Sequence, residues 1–151
     1  MIIVNSLKYL TENKRVILYG YVIMPNHIHL LWEICEQHEL KNVQRDFLKF
    51  TAQQIKFDMK DSSDPFLKQL LVNKHDRTFQ FWEKDGLSVM LFKSETIREK
   101  LDYIHRNPLQ KKWKLVAEPE DYLFSSAAFY AGKKDEFEML THIDERIGSA
   151  D

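Results

Sequence analysis

Residues 16–34 constrain the fold of this chain more than any other stretch. Residues 16–24 form an almost continuous apolar run, which predicts a strand. Pro25-Asn26 interrupts this run, and the pattern alternates through residues 27–34. Because successive side chains of a strand point to opposite faces, one face carries Ile28, Leu30, Trp32 and Ile34, and the other carries His27, His29, Leu31 and Glu33. The stretch predicts two strands paired as a hairpin.

Helical periodicity surrounds this hairpin. Apolar residues recur at helical spacing in residues 2–13 (Ile3, Leu7, Leu10) and from residue 40 (Leu40, Val43, Phe47, Phe50, Ile55). A further helix is predicted to start at Asp64-Pro65, ahead of the apolar residues Phe66, Leu67, Leu70 and Leu71. Another is predicted from Ser94 to about Asn107, with a buried stripe formed by Ile97, Leu101 and Ile104. Short strands are predicted at residues 79–82 and 88–92, with a turn at Asp85-Gly86. This order predicts an α+β or α/β sandwich around a mainly antiparallel sheet.

Composition favours one domain. The 151 residues include four Gly and four Pro, without a low-complexity linker, so we expect a single domain over residues 1–132 and an acidic tail over residues 133–151. Cys35 is the single cysteine, which excludes an internal disulfide and the usual zinc ribbons. No apolar run reaches the roughly 18 residues of a membrane span, and the N-terminus lacks a signal-peptide pattern. We therefore expect a cytoplasmic protein.

Charge is unevenly distributed along the chain. The formal net charge is −1, but residues 98–114 hold six Lys or Arg against two Asp or Glu, whereas residues 115–151 hold three against nine. The basic residues of the first segment are Arg98, Lys100, Arg106, Lys111, Lys112 and Lys114. They are compatible with a local polyanion site and equally with a solvated charged face.

Two histidines and a downstream helix supply candidate chemistry. His27 and His29 project from the same strand face and could chelate one divalent ion, although such a pair can also be purely structural. Tyr103 and Asn107 lie four residues apart, on one helix face. Asn107 could add an amide oxygen as a third ligand, leaving positions for water and a phosphate oxygen. Tyr103 is a candidate nucleophile, or a tyrosine at the edge of the core.

Three motifs in order resemble a known family. They are YVIMPNHIHLL at residues 21–31, LDYIHRNPL at residues 101–109, and Pro119-Glu120-Asp121-Tyr122 followed by Ser125-Ser126. Together with Phe81-Trp82, they resemble the single-tyrosine HUH transposases, which are insertion-sequence-200-like, and especially the group associated with repetitive extragenic palindromes. HUH denotes histidine, bulky hydrophobic residue, histidine. The resemblance covers about residues 2–132.

The resemblance implies a ferredoxin-like α/β sandwich and a transposase that nicks and rejoins single-stranded DNA beside hairpins. Tyr103 would form a 5′-phosphotyrosine, and His27, His29 and Asn107 would hold Mg²⁺ or Mn²⁺. The basic residues predicted to track DNA are Arg45, Lys49, Lys56, Arg98, Lys100, Arg106, Lys111 and Lys112. His105 points away from Tyr103 on an ideal helix, which predicts an outer contact or a surface position. Trp113 is predicted to pack in the core or to stack on a base.

The chain departs from the family at its beginning. Family members start with a strand ahead of the first helix, and here Met1 leads directly into that helix, so we expect this strand to be lacking, through truncation of the sequence or through loss of the element. A homodimer could cover the exposed sheet edge. Two other functions stay open: a DNA-binding protein descended from a transposase, and a metal-dependent phosphoesterase that uses water in place of Tyr103.

Overall fold

A computed structural model describes residues 1–61, 71–74, 77–79 and 94–148 of the chain. Within these ranges the protein has the α+β class expected from the sequence. Its elements in chain order are α1 (Ile2–Glu12), β1 (Val16–Ile23), β2 (Ile28–Ile34), α2 (Leu40–Asp61), β3 (Leu71–Lys74), β4 (Arg77–Phe79), α3 (Ser94–Arg106), α4 (Ala127–Tyr130) and α5 (Ile143–Ile147). Short 3-10 turns occupy Asn107–Leu109 and Pro119–Asp121.

The predicted hairpin is confirmed. β1 and β2 pair antiparallel, with Val16 opposite Ile34 at one end and Ile23 opposite Ile28 at the other. The turn is closed by a hydrogen bond of 2.8 Å from the amide of Met24 to the carbonyl of His27. His27 therefore lies in the turn immediately before β2, one residue earlier than the strand itself.

A β-bulge in β1 changes which face of the strand its side chains occupy. The register shifts between Leu18 and Gly20, so Tyr19 is an extra residue on this strand. Leu18 and Tyr21 consequently contribute to one core cluster, while Tyr19 and Val22 contribute to clusters on the opposite face. The sequence pattern contains no signal for this bulge, because every residue around it is apolar or aromatic except Gly20.

Helices α1 and α2 cover the first face of the hairpin. Leu7 and Leu10 of α1 and Val43 and Phe47 of α2 are buried there, against the face of β2 that carries Ile28, Leu30, Trp32 and Ile34. The predicted stripe of α2 is wrong at two positions, since Leu40 is 36% exposed and Phe50 is 52% exposed. Thr51, four residues after Phe47, takes the buried position in this turn of the helix.

Helix α3 covers the second face. Its predicted stripe, Ile97, Leu101 and Ile104, is buried, and the helix ends at Arg106, before Pro108. Helix α3 approaches β1 closely at Gly20, where an added Cβ atom would lie 2.5 Å from Leu101 Cδ1. Gly20 therefore permits the packing of α3 on β1.

The outer edge of β1 is hydrogen-bonded by a distant segment. The amide of Ile23 donates to the carbonyl of Phe124 at 2.9 Å, and the amide of Ser126 donates to the carbonyl of Tyr21 at 3.0 Å. The hydroxyl of Ser126 also accepts a hydrogen bond from the amide of Tyr21 at 3.0 Å. This segment satisfies backbone groups that a free strand edge would expose.

The stretch predicted as an acidic tail packs against the core up to residue 147. Phe137 and Met139 join the cluster under α1 and α2, and Ile143 of α5 is buried beside α3. The amide of Thr141 donates to the carbonyl of Leu18 at 2.9 Å, which adds a further bond to the edge of β1. The acidic side chain of Asp135 accepts three backbone amides, those of residues 137, 139 and 140.

The prediction of a helix through Leu71 is wrong. Leu71 begins β3, which pairs antiparallel with β4. A short apolar run fits a strand as well as a helix, and its periodicity alone does not distinguish them. Phe79, predicted to start a strand, is the last residue of β4. The predicted helix start at Asp64-Pro65, the strand residues 80–82 and 88–92 and the turn at Asp85-Gly86 lie outside the described residues.

Among the described helices, none has the length and apolar character needed to cross a membrane.

Candidate active site

The hairpin turn and β2 place the two predicted histidines together. The ring centroids of His27 and His29 are 5.1 Å apart, with the rings nearly perpendicular. Both side chains are half-buried. They lie on the hairpin face that α3 covers, as the alternation of β2 predicts.

Helix α3 brings Tyr103 to this pair. The Tyr103 ring packs edge-on against His29, with a centroid distance of 5.6 Å. Tyr103 is nevertheless 51% exposed, because it lies beside the buried stripe of α3 rather than within it. The tyrosine ring thus contacts a histidine and remains open to solvent.

Asn107 completes the group from the turn that follows α3. It is only 1% exposed, and its amide nitrogen donates to the carbonyl of Tyr103 at 3.0 Å. This bond satisfies a carbonyl at the end of the helix and fixes which way the amide points. Asn107 Oδ1 then lies 3.3 Å from His27 Nε2, and Gln110 Nε2 approaches the same oxygen at 3.4 Å.

His27 is held on two further sides. Asn26 Oδ1 lies 2.6 Å from His27 Nδ1. The indole of Trp113 packs against the imidazole, with ring centroids 6.0 Å apart. Trp113 belongs to the small cluster of Val22, Met24 and Ile104, and its Nε1 is buried without a hydrogen-bond partner in the part of the chain that the structure describes. The packing role predicted for Trp113 is confirmed, and the stacking role stays a prediction.

The surroundings of His29 favour its neutral form. Burial is the main cause that lowers the pKa of His29, and the nearby charges of His27 and Lys100 lower it further. The ammonium nitrogen of Lys100 lies 5.9 Å from the centre of the Tyr103 ring. Neutral imidazole is the form that binds metal ions, so the site keeps His29 in the ligating state at neutral pH.

The donor set fits a divalent cation. Across the described residues, no group of three or more His, Cys, Asp or Glu side chains is placed to share a metal ion. The candidate ligands are instead two imidazoles and one amide oxygen, from His27, His29 and Asn107. This set carries no negative charge, so a phosphate oxygen would be a favourable additional ligand.

The predicted basic residues divide into two groups. Lys100, Arg106, Lys111 and Lys112 lie on α3 or just after it and are exposed, and the first and last of these contact rings of the site. Lys112 Nζ lies 5.1 Å from the centre of the Trp113 ring. Arg98 is further from Tyr103 along α3 and forms a 2.6 Å ion pair with Asp144.

The remaining three basic residues are not brought to the site. Arg45, Lys49 and Lys56 lie on α2, across the sheet from His29 and Tyr103. Arg45 forms a 2.8 Å ion pair with Asp46, which is adjacent in sequence. Helical spacing predicted their shared helix but contained no information about which sheet face that helix covers.

His105 is buried, and the prediction of a surface position for it is wrong. It is 8% exposed, and its Nε2 lies 2.8 Å from the hydroxyl of Ser126. Burial lowers the pKa of His105 to about 4, while the Asp102 carboxylate acts in the opposite direction. The Ser125-Ser126 motif was the available signal for this partner, but nothing in its spacing indicated a contact with α3.

In comparisons with known proteins, no family model, no curated protein and no solved structure matches the chain.

Proposed function

We propose that this protein is a metal-dependent nickase and strand transferase of single-stranded DNA that uses Tyr103 as its nucleophile. One observation carries the proposal. An exposed tyrosine packs against His29, while Asn107, anchored to the carbonyl of that tyrosine, faces His27 at 3.3 Å. The fold of one chain brings these four residues together.

Tyr103 would attack the scissile phosphodiester. A bond forms between the phenolic oxygen and phosphorus, and the bond between phosphorus and the 3′ oxygen breaks. The phenolic proton is lost to solvent, and the departing 3′ oxygen gains a proton. The products are a 5′-phosphotyrosine and a free 3′-hydroxyl. The reverse attack by a 3′-hydroxyl rejoins DNA without ATP, because the phosphodiester bond energy is conserved.

His27, His29 and Asn107 are the residues that would hold Mg²⁺ or Mn²⁺. When bound, the cation supplies Lewis-acid polarisation of the scissile phosphate. Burial keeps His29 neutral, and the bond from the Asn107 amide to the Tyr103 carbonyl keeps the amide oxygen directed at His27. The chain's own contribution is therefore a preorganised set of donors beside the nucleophile.

Single-stranded DNA would run along the exposed side of α3. Lys100 and Lys112 lie beside the two aromatic rings of the site, those of Tyr103 and Trp113. Cationic groups next to aromatic rings are typical of proteins that bind single strands, where phosphates meet the cations and bases stack on the rings. Arg106 and Lys111 would extend this path.

The arrangement of elements supports the same assignment. A hairpin that carries the histidine pair and a helix that carries the tyrosine meet on one sheet face, as the resemblance to the HUH transposases implies. The ferredoxin-like arrangement of that family is part of this proposal.

The test is covalent capture. The protein is incubated with Mn²⁺ and labelled single-stranded hairpin oligonucleotides taken from the flanks of its own gene, and denaturing gels are examined for a protein–DNA adduct. We expect an adduct that Tyr103→Phe abolishes. Tyr9→Phe is the matched control, because Tyr9 is also an exposed helical tyrosine, at 57%, on α1 across the sheet.

Two results would contradict the proposal in different ways. Cleavage that survives in Tyr103→Phe would assign the reaction to water and make the protein a phosphoesterase. DNA binding without an adduct or cleavage product would favour a DNA-binding protein descended from a transposase.

A further inference from the structure

Asn26 makes the shortest polar contact of the candidate site. Its Oδ1 lies 2.6 Å from His27 Nδ1, inside the turn between β1 and β2. Asn26 is exposed, and a residue in such a turn could be present for backbone conformation alone. The contact with His27 points to a second role.

Both ring nitrogens of His27 lie beside an amide oxygen, and the contact at Nδ1 is the shorter one, at 2.6 Å against 3.3 Å. A neutral ring carries hydrogen on one nitrogen only, and the shorter contact assigns it to Nδ1. An amide oxygen only accepts hydrogen bonds, so a bond to Nδ1 requires that Nδ1 carry the hydrogen. In the neutral imidazole the other nitrogen, Nε2, then carries a lone pair. The hydrogen bond made by one ring nitrogen thus determines which nitrogen is free to act as a ligand.

The free nitrogen faces another acceptor. His27 Nε2 lies 3.3 Å from Asn107 Oδ1, and the Asn107 amide nitrogen is already committed to the carbonyl of Tyr103. With hydrogen on Nδ1, two lone pairs therefore face each other with no hydrogen between them. Such a pair is unfavourable alone and becomes favourable when a cation lies between or beside the two atoms.

We infer that Asn26 is a positioning residue that holds His27 in its Nδ1–H tautomer and so directs the Nε2 lone pair toward the cation site. The identity of the cation rests on the proposed function, whereas the tautomer does not. Asn26 contacts neither cation nor substrate in this account and acts through His27.

The first measurement reads the tautomer directly in protein without metal. Long-range ¹H–¹⁵N NMR spectra of the ¹⁵N-labelled chain distinguish the two nitrogens, and His27→Gln identifies the His27 signals. At a pH where the ring is neutral, we expect Nδ1–H in the natural protein and in Asn26→Asp, which keeps an oxygen acceptor. We expect Nε2–H to appear in Asn26→Ala.

The second measurement is Mn²⁺ affinity by calorimetry. Loss of an outer hydrogen bond to a ligating histidine should weaken Mn²⁺ binding about tenfold in Asn26→Ala, with affinity restored in Asn26→Asp. A purely conformational role for Asn26 predicts that Asn26→Asp and Asn26→Ala keep the same tautomer. Asn13→Ala is the matched control, because Asn13 also makes an exposed local hydrogen bond, to the Tyr9 carbonyl at 2.8 Å.

The outcomes separate this inference from the proposed function. Nε2–H in the natural protein, or an unchanged tautomer in Asn26→Ala, overturns the inference. Nδ1–H that depends on Asn26 in a protein that does not bind Mn²⁺ supports the inference and overturns the proposed metal site.

Discussion

His27 contacts Asn107 and His105 precedes Asn107 by two residues in the chain, but the surroundings of the two histidines differ in one respect. His105 is buried against the hydroxyl of Ser126, which can both donate and accept, so a neutral ring finds a suitable partner. His27 is half-buried, and its Nε2 faces an amide oxygen that cannot donate. The hydrogen bond to Ser126 matches a neutral His105 to the fold, whereas in the Nδ1–H tautomer that we infer for His27 the Nε2 lone pair has no donor beside it and is available for chemistry.

The largest predicted difference between the two histidines is in the affinity of the protein for Mn²⁺ after each is replaced. We expect His27→Ala to weaken Mn²⁺ binding roughly 100-fold, because a proposed ligand is removed. His105→Ala should leave Mn²⁺ affinity little changed and instead lower the free energy of unfolding, because it opens a cavity beside Ser126. Calorimetric titration and denaturant unfolding of both variants make the comparison. The contrast fails if the two variants lose Mn²⁺ affinity equally.

The second prediction concerns pH. The pKa of His105 is about 4 in the folded protein, against about 6.5 for an unperturbed histidine. Below pH 6.5 the unfolded chain therefore binds a proton that the folded chain does not. The stabilising contribution is complete above pH 6.5 and is lost as the pH falls toward 4, by roughly 3 kcal/mol.

Unfolding by urea in the presence of EDTA measures this loss, and His105→Gln is the control. The glutamine amide can still donate to Ser126 but does not titrate in this range. The lowered pKa of His29 acts in the same direction in both proteins, so the difference between the two curves isolates His105. Parallel curves for the two proteins would show that His105 does not titrate differently on folding.

The smallest predicted effect concerns the packing of α3 on β1 at Gly20. It tests whether a change in this packing affects the surroundings of His105 and His27 equally. Gly20→Ala places a methyl group 2.5 Å from Leu101 Cδ1 and 3.4 Å from Ser126 Oγ. We expect the free energy of unfolding to fall by about 1 kcal/mol, because α3 or Leu101 must shift. Chemical shifts of His105 should change more than those of His27, which lies in the hairpin turn.

A double-mutant cycle checks the cause of that destabilisation. If contact with Leu101 is responsible, Gly20→Ala should be less destabilising in a Leu101→Ala background. Additive effects of the two substitutions would argue for a cause in the β-bulge itself.

Local patterns predicted the parts of the fold that are local. The alternation of β2 and the three-residue stripe of α3 are visible in the sequence because one face of each element is buried. The spacing of the motifs also predicts that His27 and His29 share a strand face and that Tyr103 and Asn107 lie on one side of a helix. The site therefore depends on two elements whose periodicity was clear.

The rest depends on contacts between distant residues. The bond between His105 and Ser126, and the pairing of residues 124–126 with β1, join side chains and strands that no periodic pattern links. The prediction of a helix through Leu71 is wrong for a different reason, since a short apolar run fits both a helix and a strand. The sequence predicts only a turn at Asn26, because the contact of Asn26 with His27 depends on the side-chain geometry of that turn.

The edge of β1 also has a consequence for the order in which the chain can fold. Its hydrogen bonds to Tyr122, Ser126 and Tyr130 join residues separated by 99, 105 and 111 positions. During synthesis on the ribosome, α1 and the hairpin emerge long before these partners exist. The nascent chain therefore carries an open strand edge until most of the protein has been made, and that edge can pair with other chains.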